Sequence, residues 1–208
     1  MTARIRVDRR HPEPAAIRQA AQCVRDGLIV AYPTDTLYAL AVDPRNAAAV
    51  QRLYSLKGRP ETAALTLIAA DLTQARRAAH LTSPAEVLAR KWWPGPLTIV
   101  VYAEPTLAPA ALAGGKTVGI RVPDHAVAVD FARAADFCIT ATSANRSGEP
   151  APATPDEVLA AVPGVDAILD AGPARGGAPS TIVGVLDRDV TLIRAGAVPW
   201  ERVLTSLK

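Results

Sequence analysis

The chain has 208 residues, 50% of them AVILMFWYC and 42 of them Ala, with 23 Lys+Arg against 20 Asp+Glu for a formal charge of +3; that is enough for one buried core and too little for two independent ones. No stretch of 18 residues is free of charges and turn-formers, and the start MTARIRVDRRHPEP lacks an apolar run, which argues against a membrane span and a secretory signal and makes cytoplasm the expected compartment. Two cysteines, Cys23 and Cys138, are too few for a disulfide framework or a four-cysteine zinc site.

In chain order, Ile17, Ala20, Ala21 and Val24 keep a helical period after Pro14 and stop at Gly27. LIVAY (28–32) reads as a buried strand, and Asn46 caps a helix carrying Val50, Leu53 and Leu56 up to Gly58. ALTLIA (64–69) is the next strand. Ser83-Pro84-Ala85-Glu86 reads as a capping box that opens a helix to about Trp92, and Thr154-Pro155-Asp156-Glu157 repeats the signature. Strands are expected at 97–102, 118–122, 137–142, 166–170, 181–186 and 190–194, with a helix near 125–135. Eight strands and about five helices predict an α/β fold: one twisted mixed β-sheet flanked by helices, in a single domain over 1–208 whose core spans about 15–200.

The basic balance does not by itself name a partner. Residues 1–26 hold six Arg against Asp8, Glu13 and Asp26, and the rest of the chain is neutral, 17 charges against 17. Four polar segments stand out instead. Pro33-Thr34-Asp35-Thr36 follows a strand, at the end where open α/β sheets bind ligands. Lys57-Gly58-Arg59-Pro60 ends a helix, where two bases complement the helix terminus or converge on a phosphate. The segment 140–150, TATSANRSGEP, concentrates hydroxyls, an amide and free backbone N–H groups suited to phosphates. Ser180-Thr181 and Arg194-Ala195-Gly196 lie on strands expected to form a hairpin. His11, His80 and His125 are scattered, and no nucleophile elbow, P-loop or dinucleotide fingerprint is present. Cations and hydroxyls without a nucleophile suit charge stabilisation of a phosphorylated substrate.

The ordered blocks PTDTLYAL (33–40), KGRP (57–60), WPGPLT (93–98), VGIRVP (118–123), TSANRSGEP (142–150), STIV (180–183) and RAG (194–196) resemble the YrdC/YciO-like family, and within it the threonylcarbamoyl-AMP synthases, over about residues 15–200. The resemblance implies a twisted sheet with a concave basic cleft. It also implies condensation of L-threonine, bicarbonate and ATP, with Mg2+, into threonylcarbamoyl-AMP and pyrophosphate. A separate tRNA threonylcarbamoyl transferase complex then uses the product. The chain resembles the short, single-domain members.

The family's K-x-R…S-x-N signature falls on Lys57, Arg59, Ser143 and Asn145. Lys57 and Arg59 are implied as catalytic. With Thr117, Ser143, Asn145 and Arg194 they form the implied ATP side, while Thr34, Thr36, Arg121 and Ser180 form the threonine side. No metal ligand is implied. The chain departs from the family at Ala39 and Ala41 (usually Gly), at Ala63-Ala64 (usually a larger residue then Pro) and at Gly184 (usually Asp). The small residues at 63 and 64 predict a weakened segment after Arg59. The alternatives are a YciO-like paralogue that binds nucleotide without this synthesis, and a module that binds double-stranded or transfer RNA weakly.

Overall fold

The computed structural model describes residues 2–208. Its elements are β1 (Ala3–Arg6), α1 (Pro14–Arg25), β2 (Val30–Pro33), β3 (Tyr38–Ala41), α2 (Ala47–Lys57), β4 (Thr66–Ile68), α3 (Leu72–Arg76), β5 (Ala79–His80), α4 (Ser83–Trp92) and β6 (Leu97–Ala103). They continue with β7 (Thr117–Arg121), α5 (Ala126–Ala135), β8 (Ile139–Thr140), β9 (Thr142–Ser143), α6 (Pro155–Ala161), β10 (Ala167–Asp170), β11 (Thr181–Leu186), β12 (Asp189–Arg194) and α7 (Trp200–Thr205).

The α/β class and the flanking helices are as expected, but the strands form two mixed sheets instead of one. The first has the order β1-β10-β2-β3-β9, and the second β12-β11-β6-β7-β4-β8 with β5 added beside β6. The expected strand 137–142 is what divides them. It breaks at Ala141 into β8, which pairs with β4, and β9, which pairs with β3, so one extended segment crosses from sheet to sheet. Thr140 fixes the crossing: its hydroxyl accepts from Val42 N at 2.9 Å and donates to Leu40 O at 3.1 Å, with no exposure to water.

Three apolar clusters hold the layers. Ile17, Ala20, Ala21 and Val24 of α1 pack with Phe131 and Ala132 of α5 on one face of the first sheet, where Tyr32 meets Phe131 edge-on at 5.4 Å. Val50 and Leu53 of α2, with Val158 of α6, cover its other face. The second sheet buries Leu97, Ile99, Val101, Val118, Ile120, Val183 and Val185 against α4 and α7. Strand alternation then leaves Thr98 of β6, Thr117, Gly119 and Arg121 of β7, and Ile182 of β11 on its opposite face.

Local chemistry sets the ends. Asn46 Oδ1 accepts from Ala49 N at 3.1 Å, and Gly58 takes φ 56° to close α2. The capping box at Thr154 forms, with Glu157 returning to the Thr154 N–H. The one expected at Ser83 does not. Ser83 is already helical, Thr82 stands at the N-cap without a side-chain bond, and Glu86 is drawn away by Arg76 at 2.5 Å. β1 lies ahead of the expected core, pairs in parallel with β10, and ties Arg4 to Asp156 and Asp170, both at 2.7 Å. Part of the N-terminal positive excess is thereby neutralised by Asp156 and Asp170.

Candidate active site

A cavity of about 500 Å3, a size suited to small substrates, opens between the two sheets. Seven of the ten residues singled out from sequence line it: Thr34, Thr36, Arg59, Arg121, Ser143, Ser180 and Arg194. Thr142 of the segment 140–150, Thr98 at the end of WPGPLT and Thr66, which lies in none of the blocks, add hydroxyls, and no carboxylate lines it.

Each wall is built by a specific backbone device. After β2, the Thr34 hydroxyl accepts from Thr36 N at 3.2 Å and Leu37 N at 3.3 Å and donates to Leu37 O at 2.8 Å, which pins the turn. Thr36 Oγ1 lies 3.1 Å from Thr34 Oγ1. On the far wall, Ser180 Oγ meets Thr98 Oγ1 at 2.9 Å, and Arg194 Nη2 donates to Ser180 O at 2.7 Å and reaches its hydroxyl at 3.3 Å. Thr181, wholly buried, bonds Val198 in both directions and so fixes Ser180 beside it. Gly196 is required here, because a Cβ would stand 2.4 Å from Pro179 O.

Three cations converge on the cavity, and only one of them has an acidic partner among the described residues. Arg121, 7% exposed, pairs with Asp35 at 3.1 Å, whereas Arg59 and Arg194 have no carboxylate partner among the described residues. Burial first, and then the charge of Arg121, lower the pKa of Arg194. Arg59 bends back to donate from Nε to Ala63 O at 3.1 Å and from Nη2 to Ala64 O at 3.0 Å. Tyr54 Oη also donates to Ala63 O at 2.9 Å. The segment after Arg59 is therefore tied through main-chain carbonyls, which Ala supplies as well as any residue.

Lys57 does not line the cavity. Its side chain runs inward, 2% exposed, and Nζ donates to the carbonyls of Ser143 and of Asn145, the latter at 2.6 Å. Asn145, 6% exposed, gives its amide to Glu149 O. Lys57 and Asn145 thus brace the loop that presents Ser143, and burial with Arg59 nearby pushes the Lys57 pKa down to about 8. Thr117 also lies outside the cavity, two positions beyond Gly119 on the same face of β7. The departure at Gly184 has a steric reason: a Cβ there would fall 2.9 Å from Thr191 Oγ1 and 3.3 Å from Ile193 Cδ1.

Fold and site together define an α/β protein with a cavity lined by hydroxyls and three arginines. The Sua5/YciO/YrdC family model, described as telomere recombination, matches residues 22–196, and the chain belongs to this family. The threonylcarbamoyl-AMP synthase of Bacillus subtilis is 37% identical over 193 residues, covering 90% of this chain and 55% of that protein. The structure of Pyrococcus abyssi Sua5 complexed with L-threonine superposes with a TM-score of 0.90 at 32% identity, covering 99% of this chain and 60% of that one. Escherichia coli YciO gives a TM-score of 0.86 at 25% identity, with 96% and 98% covered. The chain therefore spans a little over half the length of the synthase and of the Sua5 structure it matches.

Proposed function

We propose that this chain is a cytoplasmic threonylcarbamoyl-AMP synthase. The observation that carries the reading is the convergence of Arg59, Arg121 and Arg194 on one cavity without a lining carboxylate, in a fold superposable on a threonine-bound Sua5. The threonine amine adds to CO2 derived from bicarbonate, losing a proton, to give a carbamate. A carbamate oxygen then attacks the α-phosphorus of ATP, and the bond to the β-phosphate oxygen breaks to release pyrophosphate. Both reactants are anions, so fixed cations in a partly desolvated cleft lower the barrier by offsetting their repulsion and holding them in line.

Arg121 takes the threonine carboxylate, and Thr34, Thr36 and Ser180 supply the hydroxyl side that separates threonine from isosteric valine. Arg59 and Arg194 take the phosphates, as planar forks suited to bidentate contact. Ser143 presents its hydroxyl and N–H to the nucleotide from the loop that Lys57 and Asn145 brace, and Thr117 bounds the nucleotide end of β7. Lys57 acts in this scheme through the loop. Mg2+ arrives as the counter-ion of ATP: no carboxylate lines the cavity, and no group of three or more His, Cys, Asp or Glu among the described residues could hold a metal. The product passes to a tRNA threonylcarbamoyl transferase complex. Among the described residues, no helix is long and apolar enough to cross a membrane.

Calorimetry tests the division of the cleft. Arg121→Ala should weaken L-threonine binding selectively while leaving binding of a non-hydrolysable ATP analogue, and Arg194→Ala should do the reverse. Equal loss of both ligands in both variants would contradict the assignment.

A further inference from the structure

Asp35 stands between Thr34 and Thr36 in the turn after β2. The structure places it behind the cavity wall, paired with the one cavity arginine that has an acidic partner. Both Asp35 oxygens lie 3.1 Å from Arg121 Nη1, and the hydrogen bond runs to Oδ2. The two side chains are 12% and 8% exposed. A guanidinium offers five N–H donors. Asp35 engages a single nitrogen, so Nε and Nη2 have no protein partner among the described residues, although Arg121 lines the cavity.

A long, buried arginine needs such an anchor, because its charge has to be compensated and its rotamer fixed before it can present a flat fork to a carboxylate. The anchor is itself rigid: the Thr34 hydroxyl holds the turn through Thr36 N and Leu37 N. Tyr32, wholly buried with Oη bonded to Thr140 O at 3.0 Å, is close enough to feel both charges.

We propose that Asp35 is a positioning residue that orients Arg121 for the carboxylate of the amino-acid substrate, and so sets amino-acid affinity separately from nucleotide affinity. The inference rests on the proposed synthase function. A 1 Å displacement of a positioning group costs on the order of 100-fold, so Asp35→Asn should raise KM for L-threonine by about 10- to 100-fold while KM for ATP stays within about twofold. Adding Asp35→Asn to Arg121→Ala should raise the threonine KM no further, because the carboxylate acts through that arginine.

Steady-state pyrophosphate release by wild type, both single variants and the double variant decides it. An unchanged threonine KM in Asp35→Asn, or an equal rise in both KM values, or additive effects in the double variant, would overturn the positioning role alone. No threonine-dependent release by wild type would overturn the proposed function and this inference with it. If circular dichroism shows Asp35→Asn unfolded, Asp35→Glu replaces it: the charge stays and the carboxylate moves, so a selective rise in threonine KM supports the role and its absence refutes it.

Discussion

Replacing Lys57 by Met keeps the length of the stem and deletes only the ammonium. Two carbonyls, Ser143 O and Asn145 O, then lose the donor that Nζ supplies. A hydrogen bond from a charged donor contributes about 1.5–3 kcal/mol, so the two together set an upper figure of about 6 kcal/mol. Burying a thioether avoids the desolvation of an ammonium, which offsets part of the loss. A net destabilisation of about 2–4 kcal/mol follows, and at roughly 2–4 °C per kcal/mol for a chain of this size the melting temperature should drop by about 5–15 °C. Thermal unfolding followed by circular dichroism at pH 7 measures it. The freed loop should also bind an ATP analogue more weakly. A Met variant that melts with wild type yet loses catalysis would refute the brace and make Lys57 a group that touches substrate.

Two further outcomes are expected. His125 is 7% exposed with neither ring nitrogen bonded, and burial, with Arg9 as the next cause, pushes its pKa from 6.5 to about 4, with Asp35, Asp124 and Arg175 also acting on it. The unfolded chain therefore binds this proton at higher pH than the folded one, so stability is full above about pH 6.5 and falls towards pH 4 by about 3 kcal/mol. Urea midpoints at pH 7 and 4.5 should diverge less in His125→Leu than in wild type, and equal divergence would refute the assignment. Gly196→Ala drives a methyl into Pro179 O, so it should cost more than about 1–3 kcal/mol and displace Ser180. An unchanged urea midpoint would show that the loop yields.

Much of this fold is legible in the residues, for reasons that differ by element. Thr181–Leu186 is recovered to the residue because an apolar run ends at the turn Asp187-Arg188. α1 and α2 carry apolar faces of helical period and definite stops. β1 is missed because ARIR buries only Ile5, and β3 because Tyr38–Ala41 follows directly on a turn whose composition dominates the eye. The second sheet is hidden because nothing at Ala141 announces that the chain changes partners.

In the site, residue types and order identify which side chains gather, but not where they aim. Lys57 and Arg59 flank the same glycine, yet one turns into the core and the other to the cavity, since Gly58 adopts a left-handed conformation between them. Asp35 is invisible as a partner of Arg121 because 86 positions separate them and only the pairing of sheets brings them together.

Under the proposed function, the arginine-lined cleft joins a threonine carbamate to the α-phosphate of ATP. Pyrophosphate release by the purified protein, with L-threonine, bicarbonate and ATP each omitted in turn, tests it most directly. The account predicts release only when all three are present, with L-valine unable to replace L-threonine. Release from ATP alone, or none from folded protein with all three supplied, would contradict it.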